Sequence, residues 1–234
     1  MSDFSFAAAD RVLVKICGTT SIADAQIAQN ANADFLGVIV EHAPSPRSVN
    51  RATARAIFAA TNLQTVAVTV NKTLEELLQL HGELQPAVLQ LHGDESVEIA
   101  RALSTRSVRF WAACSGETDV AKMRALQMSD AGAEAVLLDA RTQHDGVVTY
   151  GGTGLRSDWQ LARELVERGL RVVLAGGLSP ENVREAVQTV RPWTVDVLSG
   201  VELRKGVKDK HRVLDFVRNA GSVIGTETTE RYPQ

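Results

Sequence analysis

The sequence predicts an α/β protein folded as a single eight-stranded parallel (βα)8 barrel. Three observations carry that expectation. Apolar runs of four to six residues alternate with helical stretches along nearly the whole chain, the alternation occurs eight times, and 234 residues suit a one-domain barrel. The barrel is expected over residues 12–221, with 1–11 as an N-terminal extension and 222–234 as a polar, disordered tail. Periodicity alone leaves an open, doubly wound sheet as the alternative to closure.

The first strand is read at Val12–Ile16, closed by Cys17-Gly18, and Ser21 can cap a helix carrying Ile22, Ala25 and Ile27. Phe35–Val40 follows, then a helix over Arg51–Ala60 and a third strand at Val66–Val70. Thr73 can cap the next helix, whose Leu74, Leu77 and Leu78 recur at helical spacing. Val88–Leu91 ends at His92-Gly93, and its helix holds Val97, Ile99, Ala100 and Leu103. The second half repeats the scheme: strands at Val108–Ala113, Ala135–Leu138, Val172–Ala175 and Val195–Leu198, with helices near Val120–Leu126, Asp158–Arg168 and Asp209–Arg218. Gly169 is placed to stop its helix, and Pro180 suits the first turn of the helix carrying Val183, Ala186 and Val187.

Composition narrows the function classes. The chain is 44% hydrophobic but only 5% aromatic, so Ala, Val, Leu and Ile are expected to fill the core. A net charge of −3 without a Lys/Arg run argues against a nucleic-acid partner. Two cysteines make no disulfide framework, and no Cys/His spacing reads as a zinc site, so no metal is expected. With no secretory leader and no apolar stretch approaching about 20 residues, a soluble cytoplasmic protein away from membranes is expected.

In a barrel the chemistry belongs at the C-terminal ends of the strands. That rule selects Cys17, Asn71, His92, Asp139, Gly176-Gly177 and Ser199-Gly200. Glycines in the seventh and eighth loops let backbone N–H groups approach an anion, as in barrel phosphate sites, or merely make tight turns. Cys17 shares a strand face with Lys15 and suits a base or nucleophile if its surroundings activate the thiol; a buried strand cysteine is otherwise inert packing, as Cys114 is read to be. Asp139 either caps its loop or acts as an acid or base. Asp196 is expected to form a buried pair with Lys15, because strands one and eight adjoin in a closed barrel. Arg47, a forked donor above the mouth, suits a carboxylate, and Gln90 and His92 sit at the end of the fourth strand.

Several segments now fall together: Lys15-Ile16-Cys17-Gly18-Thr19-Thr20, Ser45-Pro46-Arg47, Gln90-Leu91-His92-Gly93, Leu137-Leu138-Asp139, Gly151-Gly152-Thr153-Gly154, Ala175-Gly176-Gly177-Leu178, Asp196-Val197-Leu198-Ser199-Gly200-Val201-Glu202 and Gly206-Val207-Lys208-Asp209. In that order they resemble the phosphoribosylanthranilate isomerase family of tryptophan biosynthesis, over about residues 12 to 220. The resemblance implies a TIM barrel, a phosphosugar substrate, an Amadori rearrangement and no metal or organic cofactor. It further implies Asp139 as general acid and Cys17 as general base. Arg47 would then meet the anthranilate carboxylate, with Asp196, Gln90 and His92 also toward the substrate and Gly152, Gly177, Ser199 and Gly200 around the phosphate. The chain departs from the family pattern at Thr69, where an aromatic is expected, at Leu198, Ala140 and Ser157, and in a longer 141–150 loop. Rival readings stand beside this one: a Schiff-base lyase using Lys15 as nucleophile, a barrel paralogue that isomerises another aminoaldose phosphate, and a diverged barrel that binds a sugar phosphate without turning it over.

Overall fold

Apolar strands flanked by amphipathic helices on one side only can bury both faces by rolling into a cylinder. In the structure, a computed structural model, the chain does so. Residues 11–139 and 158–221 are described, together with the backbone of two short strands at Arg141–His144 and Val147–Tyr150. The barrel strands are β1 (Leu13–Ile16), β2 (Phe35–Val40), β3 (Gln64–Thr69), β4 (Val88–Leu91), β5 (Phe110–Cys114), β6 (Ala135–Leu138), β7 (Val172–Leu174) and β8 (Thr194–Val197). Each pairs in parallel with its neighbour, and β1 pairs with both β8 and β2, so the sheet closes on itself. Closure resolves the alternative that periodicity left open.

The helices are α1 (Ile22–Asn30), α2 (Arg51–Ala59), α3 (Leu74–Leu84), α4 (Val97–Ser104), α5 (Thr118–Asp130), α6 (Trp159–Glu167), α7 (Val183–Val190) and α8 (Lys210–Gly221). Ser21 caps α1 by accepting from the Asp24 amide, and Thr73 forms a reciprocal capping box with Glu76. Gly169, at φ +86°, stops α6 as its position suggested. None of the helices among the described residues is long and apolar enough to cross a membrane.

Alternation along the strands makes two cores. Outward residues such as Val14, Ile16, Leu36, Val38, Leu89 and Leu174 pack against the helices. Inward residues, including Phe35, Val66, Val88, Trp111, Leu137 and Val173, fill the barrel. The core is mostly Ala, Val, Leu and Ile as expected, and the base of the barrel adds an aromatic cluster. Phe35, Trp111 and Trp193 meet edge-on, with centroids 4.9 Å apart for Phe35–Trp111 and 5.6 Å for Trp111–Trp193. A few large rings at the N-terminal end of the cylinder close what many small side chains would leave open.

Other details shift. β5 begins at Phe110 rather than Val108, because the Val108 amide bonds back to Leu103 at the end of α4. Pro180 lies before α7, in a turn where the Asn182 side chain accepts from the Ser179 amide and donates to the Gly177 carbonyl. Loop 141–150 contains an antiparallel pair of strands, and the chain after β8 makes a 3-10 turn (Ser199–Val201) and a hairpin of Glu202–Arg204 with Val207–Lys208. The expected N-terminal extension, the tail 222–234 and the departures at Ala140 and Ser157 lie outside the described residues.

Candidate active site

At the C-terminal mouth of the barrel a cavity of about 390 Å³ opens between the loops. Its lining gathers Cys17, Arg47, Gln90, His92, Asp139, Gly177, Asp196 and Ser199. These come from six strands, so closure of the barrel brings together what sequence reading selected one by one. Gly152 lies outside the described residues. Gly200 does not line the cavity. A Cβ there would overlap the Leu178 carbonyl, so this glycine lets the eighth loop press against the seventh.

The wall at β1 and β8 is ionic. Lys15, fully buried, places Nζ 3.0 Å from Asp196 Oδ2, the pair anticipated from strand adjacency. Burial works against the Lys15 ammonium, yet Asp196 and Cys17 outweigh it and hold its pKa above the ordinary value. Burial pushes the Asp196 carboxyl up, with Asp139 adding to the effect and Lys15 opposing it. Burial likewise pushes the Cys17 thiol up, helped by Asp196 and opposed by Lys15 and Lys208. The Asp196 Oδ1 atom is buried and has no hydrogen-bond partner among the described residues.

A second chain of polar groups runs up β4. Gln90 Nε2 lies 2.8 Å from His92 Nδ1, and His92 Nε2 lies 3.5 Å from Asp139 Oδ2. With the Gln90 amide nitrogen assigned toward the ring, Nδ1 accepts and Nε2 carries the proton facing Asp139. Gln90 and His92 therefore act as a pair that orients a donor onto the carboxylate. Asp139 follows β6 directly, and its placement depends on Leu137 and Leu138 seating that strand between β5 and β7.

Arg47 is nearly buried, and its fork is engaged: Nε and Nη2 donate to Glu202 at 2.8 and 2.7 Å. Glu202 sits on a hairpin rather than at a strand end, so barrel geometry gives it no role from sequence. It ties the loop after β2 to the hairpin after β8, and it also accepts from the Gly206 amide at 3.2 Å. Gly37 was missed as well. A Cβ on it would lie 2.8 Å from Cys17 Sγ and 2.9 Å from Lys15 Cε, so an L side chain would crowd both. A glycine inside a β-strand is the signal that could have revealed this close approach.

Gly176 and Gly177 hold φ of +83° and +64°, a backbone that side chains resist, so the turn itself requires glycine. Ser199 and Leu198 line the same cavity. The aliphatic wall is Ile39, Val68, Val70, Pro44 and Leu198. Thr69, flagged as a departure, does not line the cavity. It is buried, and its hydroxyl donates to the Gln90 carbonyl at 3.2 Å. Among the described residues no group of three or more His, Cys, Asp or Glu could hold a metal ion.

Comparison with known proteins shows the family. The family model described as N-(5'-phosphoribosyl)anthranilate (PRA) isomerase matches residues 14–219. The relative of that name from Trichlorobacter lovleyi is 39% identical over 219 residues, covering 91% of this chain and 100% of its own. That from Aquifex aeolicus is 37% identical, covering 90% and 99%. The crystal structure of phosphoribosylanthranilate isomerase from Thermotoga maritima superposes with a TM-score of 0.78 at 35% identity, covering 89% of this chain and 98% of its own. Another of that enzyme, solved in complex with reduced 1-(o-carboxyphenylamino)-1-deoxyribulose 5-phosphate, superposes at 0.76 and 34% identity, with the same coverages.

Proposed function

The chain belongs to the N-(5'-phosphoribosyl)anthranilate isomerase family, and on that premise we propose that it converts N-(5'-phosphoribosyl)anthranilate to 1-(o-carboxyphenylamino)-1-deoxyribulose 5-phosphate in tryptophan biosynthesis. The observation that carries the proposal is the convergence of Cys17 and Asp139 on one cavity whose lining also gathers Arg47, the glycine turn of loop seven and Ser199. The glycine turn of loop seven and Ser199 of loop eight, both in its lining, suit a phosphate. Arg47, already steadied by Glu202, and the aliphatic wall suit a benzoate. About 390 Å³ falls within the range of roughly 300–1,000 Å³ that small-molecule sites occupy.

In this reading Asp139 donates its proton to the furanose ring oxygen. The C1–O bond breaks, and nitrogen lends its electron pair to form a protonated Schiff base. The Cys17 thiolate then removes the proton from C2. The C–H electrons form a C1=C2 bond while the imine electrons return to nitrogen, giving a neutral enolamine. Its C2 hydroxyl loses a proton as C1 gains one, and the aminoketose results with no net change in protons. One group must donate to oxygen while another accepts from carbon, and two separate residues on different strands meet that need. Nothing in the sequence of bonds is oxidised or reduced outside the sugar, so the chemistry asks for no redox cofactor.

His92 would keep Asp139 aimed at the ring oxygen, and Asp196, with its unpartnered oxygen, would lie against the cationic intermediate. The Lys15 nucleophile reading fares worse, because Lys15 is fully buried below Cys17 and paired with Asp196. Purified Cys17→Ala and Asp139→Asn variants test the assignment by loss of anthranilate-type fluorescence. Each is expected to fall at least about 10²-fold below the wild type. A variant that keeps wild-type turnover removes its residue from the mechanism.

A further inference from the structure

We propose that Lys15 acts on the reaction through Cys17: its ammonium, paired in the free protein with Asp196, becomes the counter-ion of the Cys17 thiolate once a cationic intermediate lies over Asp196. The proposal rests on Cys17 being the general base. It makes Lys15 a positioning residue rather than a catalytic one, since it is sealed from the cavity.

The geometry points there. Lys15 stands opposite Asp196 in the β1–β8 register, and its Nζ reaches Oδ2 at 3.0 Å. Cys17 is two residues further along the same inward face, its amide held by the Val197 carbonyl at 2.9 Å. Over Gly37 the two side chains converge. The position of a missing Cβ lies 2.8 Å from Cys17 Sγ and 3.0 Å from Lys15 Nζ, so one glycine leaves room for both. Lys15 is fully buried, and the groups that act on its charge are Asp196 and Cys17. Asp196 in turn lines the cavity and keeps Oδ1 unpartnered among the described residues, where a cation would be welcome.

The charged groups facing Cys17 are Lys15 on its own strand, Asp196 from β8 and Lys208 from the hairpin, while β2 offers only Gly37. In the free protein burial and Asp196 together keep the thiol protonated, against the pull of the two lysines. A protonated Schiff base over Asp196 cancels that carboxylate's field on the thiol. The lysine charge then acts on sulfur: the thiol passes its proton to water at the open mouth of the cavity, which Cys17 lines, and the thiolate left beside Lys15 takes the proton from C2. Proton removal is thereby confined to the opened sugar.

Thiolate absorbance in the ultraviolet, followed against pH, tests this directly. Cys114, the other cysteine, is pushed up to about 12 by burial and stays silent over the working range. Asp196→Asn is expected to lower the pH at which Cys17 ionises by about one unit or more, and Lys15→Met added to that variant to raise it again by a similar amount. Alkylation of Cys17 by iodoacetamide should follow the same two displacements. An unmoved or raised titration in Asp196→Asn, or a double variant that titrates with the single, overturns the proposal. Asp196→Asn conserves shape and can overturn it alone, so a double variant that does not fold offers no protection. Failure of the base assignment would show differently, as turnover persisting in Cys17→Ala while the thiol displacements remain.

Discussion

Small residues decide how closely the reacting groups can be held. Gly37 is the most consequential, since a methyl group there would sit 2.8 Å from Cys17 Sγ and 2.9 Å from Lys15 Cε. Gly37→Ala is therefore expected to cost about 1–3 kcal/mol of stability through overpacking, and denaturant unfolding would measure it. A second prediction concerns Cys114, which burial raises to about 12. The unfolded thiol ionises near its ordinary value of about 8.5 while the folded one keeps its proton, so stability is lost as pH rises from about 9 towards 12. Cys114→Ala should flatten that decline relative to the wild type in unfolding titrations; an unchanged slope would show that the thiol is not shielded. At this scale the sequence was readable where barrel geometry assigns a place to a residue type. Cys17, Asp139 and the Gly176-Gly177 pair all follow strand ends, and all line one cavity. Glu202 and Lys208 were not readable as neighbours of Arg47 and Cys17, because a hairpin, not a strand position, delivers them.

The loops that frame the mouth are tied to one another by buried carboxylates. Glu95 accepts from the Asn71 amide at 2.7 Å and the Gly93 amide at 3.0 Å, joining the turns that follow β3 and β4. Asn71 returns the favour by accepting from the Asp94 amide at 2.7 Å. Glu95→Ala would leave two donors without partners, and a loss of about 1–3 kcal/mol is expected, with unfolding midpoint as the measure. A loss of activity larger than the loss of stability would place the β4 turn, and with it His92, within the working geometry of the site. Element types were legible because β-branched runs and 3.6-residue periodicity do not depend on distant contacts. Ends and additions were less so. Ser48–Val49 becomes a strand only because β2 offers it a parallel edge at Ile39 and Val40, and the start of β5 moved because a helix end captured the Val108 amide. Both outcomes are tertiary, and two residues of sequence carry no sign of them.

Across the whole molecule, stability and function divide between the two ends of the cylinder. The lower end is aromatic, with Phe35, Trp111 and Trp193 packed edge to face and Arg171 lying 5.3 Å from the Trp193 ring centre. The upper end carries buried charges whose mutual fields matter more than their net sum. The number of strands could be anticipated from eight repeats, while closure is settled only by the pairing of β1 with both β2 and β8. The aromatic plug could not, because a 5% aromatic content says nothing about where the rings assemble. The central claim is that this mouth opens and isomerises an anthranilate-linked ribose phosphate. The most direct measurement is turnover of freshly prepared N-(5'-phosphoribosyl)anthranilate by the purified wild-type protein, followed as decay of its fluorescence beside a protein-free control. The account predicts decay accelerated in proportion to protein concentration, with the aminoketose phosphate as product. A rate indistinguishable from the control, from a folded protein that still binds the reduced product analogue, would contradict it and leave a barrel that holds a sugar phosphate without transforming it.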